Sequence, residues 1–152
     1  MKGKLSIVLT AAASMTLVCF TVHAAAEAQC SNRTLQGSYG FTIDGTIVGP
    51  NIPFRGLALQ HYDGHGNITQ VDRLVENGVA PSQEWLPGSG TYTVNPDCTG
   101  SAVINSQSTP FPIALHFVIV DNGNEIRQVV DANAVIAIGK RVFQSPSSDS
   151  QN

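Results

Sequence analysis

The chain has 152 residues, with 8 Lys/Arg against 11 Asp/Glu, a formal net charge of −3 and 42% hydrophobic residues. That balance lacks the basic footprint that phosphate-backbone binding requires, which excludes nucleic acid as an expected partner. It also offers no polybasic attraction to anionic membranes, and the length suffices for one domain and not two.

The first segment reads "MKGKLSIVLTAAASMTLVCFTVHAAAEAQC". Lys2 and Lys4 precede an uncharged apolar run from Leu5 to Val22, followed by small residues, which is the pattern of a secretory signal peptide. Val22, His23 and Ala24 fit a small-x-Ala cleavage site, giving a signal segment 1–24, and Ala26 or Ala28 would serve nearly as well. A membrane anchor is the competing reading, but a run of about 18 residues is only marginally long enough to span. The flanks "TLVC" and "EAQC" lack the small residues of a lipoprotein processing site. Cleavage leaves six basic residues against eleven acidic ones, and the expected location is secreted or periplasmic.

Downstream, no window of eleven or more residues carries a helical period, while Gly, Pro and Asn clusters recur every ten to fifteen residues. Eight strands follow in order: "LQGSYGFTIDGTIV", "FRGLALQHY", "NITQVDRLVE", "GSGTYTVN", "TGSAVINSQ", "FPIALHFVIV", "NEIRQVVDA" and "AVIAIGKRVFQ". They define an all-β domain over 30–144, and the polar end "SPSSDSQN", 145–152, reads as a disordered tail.

The connections alternate. Tight turns, "DGHGN", "NPDCTG" and "DNGNE", join strands two to three, four to five and six to seven. Longer proline-bearing loops, "GPNIP", "NGVAPSQEWLPG" and "SQSTPFP", join one to two, three to four and five to six. In an up-and-down meander every second connection lies at the same end, so the tight turns share one end and the long loops the other.

Cys30 and Cys98 then both fall at the tight-turn end, and export favours their pairing as a disulfide over two free thiols. Eight antiparallel strands favour closure into an up-and-down β-barrel, which removes exposed edges; a two-sheet sandwich is the alternative. A barrel of this size is either filled by side chains or holds one small ligand.

The combination of "LQGSYGF", "YDGHGNIT", "GSGTYTVNPDCTGS" and "FVIVDNGNEI" resembles secreted bacterial proteins assigned an allene oxide cyclase barrel-like, calycin-type fold. The likeness spans nearly the whole chain after the signal, and "GTYTVNPDCTG" is its most specific part. It implies an eight-stranded barrel with an apolar cavity and no established activity. Plant allene oxide cyclases share the barrel and cyclise a fatty-acid epoxide without a cofactor, but their catalytic positions find no residue-by-residue match in this chain, so none is carried over.

"HYDGHGN" places His61, Asp63 and His65 within five residues, the raw material of a metal site. Drawn as a hairpin with Asp63 opposite Asn67, it sets Tyr62 against Ile68 and His61 against Thr69. His61 then lies about 7 Å down the strand from Asp63, with His65 beyond the turn. Zinc also needs further ligands, and no other His or Cys pair has suitable spacing. Turn chemistry is the simpler reading, with Asp63 and Asn67 bonding the loop backbone and Gly64 and Gly66 at positive φ. Asn67-Ile68-Thr69 is also a glycosylation sequon, which a bacterial context makes coincidental.

His116 stands in a run apolar on both faces, as a core histidine or as a side chain orienting a bound group. Arg127 poses the same choice against a solvated strand arginine. Trp85, the only tryptophan, sits with Glu84 at the long-loop end, to cap a cavity mouth or close the core. Tyr39, Tyr62 and Tyr92 read first as strand aromatics. The candidate ligand-binding residues are therefore Glu84, Trp85, Tyr92, His116 and Arg127.

One face of strands two and three holds Arg55, Leu57, Leu59, His61, Val71 and Arg73, and the other holds Phe54, Ala58, Tyr62, Ile68 and Leu74. Neither is cleanly apolar, which fits either a partly polar interior or a register-shifting bulge. No nucleophile elbow, phosphate loop, dinucleotide fingerprint or HExxH motif occurs, and nothing singles out a carboxylate pair for glycoside hydrolysis, so neither cofactor nor metal is expected. The expectation is a secreted, disulfide-closed barrel binding a small apolar or amphipathic molecule at the long-loop end. A cofactor-independent cyclase or isomerase in the same cavity, using His116 or Glu84, is the alternative, and a purely structural envelope protein a third.

Overall fold

The computed structural model describes residues 29–142; the expected signal segment 1–24 and tail 145–152 lie outside the described residues. Eight antiparallel strands form in chain order: β1 (Gly37–Ile47), β2 (Ile52–Tyr62), β3 (Asn67–Glu76), β4 (Leu86–Val94), β5 (Thr99–Ser106), β6 (Ile113–Val120), β7 (Glu125–Val130) and β8 (Ala134–Arg141). Each pairs with its sequence neighbours, and β1 closes onto β8 from Tyr39 opposite Arg141 to Thr46 opposite Ala134. The sandwich alternative is thereby set aside, and no sheet edge is left open.

Alternation explains why these segments close around a core. Every second residue of β5, Gly100, Ala102, Ile104 and Ser106, is buried, while Thr99, Ser101, Val103 and Asn105 are exposed. Between β2 and β3 the register runs without a bulge from Phe54 opposite Glu76 to Tyr62 opposite Ile68, so the mixed polarity of their inner face is a property of the interior itself. An inward phenylalanine needs room across the wall: Phe117 lies over its cross-strand partner Gly100, where a Cβ would stand 2.3 Å from the ring.

Two strands start earlier than the sequence suggests. β2 takes in Ile52 and Pro53, and β4 takes in Leu86 and Pro87, which shortens the loop between β3 and β4. Proline is tolerated in these opening residues, where a missing N–H costs least; the Pro53 and Pro87 carbonyls still accept from Asn77 N and Gln107 N.

The tight-turn end is plugged. A 3-10 turn, Asn32–Leu35, crosses beneath the barrel and inserts Leu35, which is fully buried. Cys30 and Cys98 form a disulfide with a Cα–Cα distance of 5.0 Å, reinforced by Cys30 N donating to Pro96 O. Asn32 Oδ1 accepts from Val94 N, and Arg141 donates to the carbonyls of Gln36, Thr34 and Gly123 while its guanidinium lies 4.7 Å from the Tyr39 ring centre. Above the plug, Tyr39, Tyr62 and Tyr92 pack edge to face, with ring centres 5.5 and 5.0 Å apart. Such pairs add about 1 kcal/mol each beyond the area they bury.

Candidate ligand site at the barrel mouth

Burial falls toward the long loops along β1 to β4, while β5 and β8 stay buried to their mouth ends at Ser106 and Val135. On β2 the inward residues Tyr62, Gln60 and Ala58 are buried but Gly56, Phe54 and Ile52 are only half-buried. On β3 the same change comes between Asp72 and Leu74, and on β4 between Tyr92 and Gly90. The half of the barrel nearest the plug is filled by aromatic rings, and the half nearest the mouth is not.

A cavity of about 430 Å³ occupies that mouth. Ile52, Leu74, Val79, Ala80, Pro81 and Leu86 form its apolar wall, and Glu76, Asn77 and Ser108 contribute polar groups. The loop from 77 to 85 covers one side, held by Arg73, whose Nη1 donates to the Glu84 carbonyl at 2.8 Å and the Gln83 carbonyl at 3.2 Å. Loop tips around the rim present apolar side chains to solvent: Val48, Val79 and Phe111 are exposed by 62%, 70% and 76%, and Trp85 by 42%.

Asp72, only 2% exposed, is not itself part of the cavity wall but adjoins it. Its neighbours tie it to the cavity wall: Leu74 is the next inward residue of β3, Leu86 is its register partner on β4, and Ser108 bonds to its carboxylate. Asp72 Oδ2 accepts from Gln70 Nε2 and Ser106 Oγ, both at 2.6 Å, and from Ser108 Oγ at 3.3 Å. Behind it a chain of donors points the same way: Tyr62 Oη donates to Gln60 Oε1, and Gln60 Nε2 donates to Gln70 Oε1. Gln128 Nε2 adds a contact to Tyr62 Oη at 3.2 Å. Successive dipoles aligned toward one carboxyl group reinforce each other at low dielectric. Asp72 Oδ1 has no hydrogen-bond partner among the described residues.

The five sequence candidates do not converge. Glu84 and Trp85 stand at the rim beside the cavity, although neither forms its wall. Tyr92 is buried at the plugged end, where its hydroxyl donates to Asn32 O; burial raises its pKa. His116 and Arg127 come together, but on the outer surface: they line a groove of about 510 Å³ across β5, β6 and β7 with Val118 and Val129. His116 Nδ1 sits 2.7 Å from Asp131 Oδ1, and Arg127 Nε donates to Glu125 Oε1 at 2.7 Å. His116 is therefore neither a core histidine nor an interior one, because Leu115, Phe117 and Ile119 take the inward positions of β6. His116, turned outward, and Glu84, which is not part of the cavity wall, therefore do not stand in the mouth cavity as an acid or base.

"HYDGHGN" forms a tight turn at the plugged end. Asp63 Oδ1 accepts from His65 N at 2.7 Å and Asn67 N at 3.0 Å, its Oδ2 accepts from Asn67 Nδ2 at 2.6 Å, and Gly64 and Gly66 take φ of 80° and 110°. These bonds, Asn67's side chain first, hold the Asp63 carboxyl well below the usual carboxylate range. His61 points outward to Ser38 Oγ at 3.1 Å. Among the described residues no group of three or more His, Cys, Asp or Glu is placed to hold a metal, and no helix is long and apolar enough to cross a membrane.

Asp72, Gln70, Gln60, Gln128, Ser106 and Ser108 are the polar residues that sequence reasoning passed over. Their signal was parity: Gln60 alternates with Tyr62 and Ala58, and Gln70 and Asp72 stand between Ile68 and Leu74 on one face. No protein-family model matches the chain, and no curated protein matches it.

Proposed function

We propose that this protein is an exported binding protein that holds one small amphipathic molecule in the mouth of its barrel. The observation that carries the reading is the cavity of about 430 Å³ at the long-loop end, within the size range of small-molecule sites, with an apolar wall and few polar groups. The apolar rim supports it, since Val48, Val79 and Phe111 offer a surface across which an apolar molecule could enter. The resemblance to allene oxide cyclase barrel-like proteins supports the same kind of cavity. The amino-terminal sequence supports export, and the Cys30–Cys98 disulfide fits an oxidising compartment.

Native mass spectrometry and thermal shift against a panel of lipids and small metabolites test it. A ligand present at 100 times its Kd stabilises by about 2.7 kcal/mol, which raises Tm by several degrees. The expected result is a retained mass and a raised Tm for an amphipathic subset. No response across the panel would overturn the reading.

A further inference from the structure

Resting on that binding site, we propose that its ligand is an apolar amine, whose protonated nitrogen pairs with Asp72 while its apolar body lies against Leu74 and Leu86. Buried charges in folded proteins are paired with a countercharge or bound to a metal. Asp72 is 2% exposed, and no cation pairs with it among the described residues. Its Oδ2 is saturated by Gln70, Ser106 and Ser108, whereas Oδ1 is unpartnered. The donor chain from Tyr62 through Gln60 and Gln70 ends on Oδ2 and leaves Oδ1 unserved.

The surroundings select the sign of the missing partner. Among the described residues Glu76 is the only charged one in the cavity wall, with no Lys, Arg or His beside it there. Arg73, next in sequence to Asp72, is committed outward to the Glu84 and Gln83 carbonyls. A fatty acid or phosphate headgroup would therefore meet two carboxylates and no cation, and like charges at low dielectric repel strongly. A metal ion would find only the two carboxylates of Asp72 and Glu76, and among the described residues no group of three or more His, Cys, Asp or Glu is placed to hold one. An ammonium supplies positive charge and N–H donors, and its apolar body matches the Leu74 and Leu86 wall.

The test compares octylamine, 1-octanol and octanoate, which share one tail, by titration calorimetry at neutral pH on the full-length exported protein with its disulfide formed. Octylamine should bind about tenfold or more tightly than the other two, the scale of a charge-assisted hydrogen bond. Asp72→Asn should abolish that preference. Equal affinities in the wild type, or a preference that survives Asp72→Asn, overturns the amine assignment and leaves mouth binding standing. If none of the three binds, both fall. Should Asp72→Asn not fold, the wild-type Asp72 carboxyl 13C resonance decides: it shifts with octylamine and not with 1-octanol, and an unmoved resonance overturns the proposal.

Discussion

The two ends of the barrel are built from the same strands yet solve opposite problems. At the plugged end every connection is short, polar side chains bond the turns, and Leu35, three tyrosines and a disulfide leave no room. At the mouth two of the loops, 77–85 and 107–112, are longer, apolar side chains at the rim face solvent, and a buried carboxylate keeps an oxygen without a partner among the described residues. Stability is concentrated where the chain is over-bonded, and binding capacity where it is not. Evolution of a new ligand preference in this fold would then touch the mouth with little effect on folding.

The largest expected effect that sharpens this contrast comes from the disulfide. Replacing Cys30 and Cys98 by Ser should lower unfolding free energy by about 4 kcal/mol in the chain-entropy model, measured by urea titration. Ligand affinity of the folded fraction should stay unchanged; a parallel loss of affinity would break the division between ends. The converse variant is Leu86→Trp, which projects a larger side chain into the mouth cavity. It should weaken ligand binding by about tenfold or more, equivalent to about 1.4 kcal/mol, with a smaller change in Tm.

Acid provides a third contrast. Asp63, Asp97 and Glu125 all lie in or beside the tight turns, and their pKa values are lowered, chiefly by side-chain hydrogen bonds from Asn67, Thr99 and Arg127 respectively. A folded pKa below the unfolded one means the stabilisation is present above the ordinary values of 3.8 and 4.5 and is lost as pH falls through the folded values. Stability should hold on acidification until roughly pH 5 and decline below it, and Asp63→Asn should flatten the decline. A stability profile that falls already between pH 7 and 5 would place the sensitive groups elsewhere. The smallest effect is at the rim: Phe111→Ser should change stability by no more than about 0.5 kcal/mol, as the side chain is 76% exposed.

Much of this architecture was legible in the sequence, because strand count, turn length and end parity are topological and need no contact to be known. Parity put Cys30 and Cys98 at the same end, and export made their pairing the expected outcome. The pairing of His61 with Thr69 and Tyr62 with Ile68 followed from the two-residue period once the turn was drawn. The site was harder to read. In "IALHFVIV" both parities are apolar, so periodicity could not say which way His116 points; only the pairing of β6 with β5 and β7 turns it outward. Asp72 was hidden for the opposite reason. A strand aspartate between Val71 and Arg73 looks solvated, and its burial depends on closure bringing Ser106 and Ser108 over it from β5 and the loop that follows.

Binding at the mouth is tested most directly by an NMR titration of methyl-labelled wild-type protein with octylamine. The resonances of Ile52, Leu74, Val79 and Leu86 should move together and saturably, while those of Ile126 at the filled end stay in place. Shifts centred on Val118 and Val129 in the outer groove, or no saturable shift with octylamine, 1-octanol or octanoate, would contradict it.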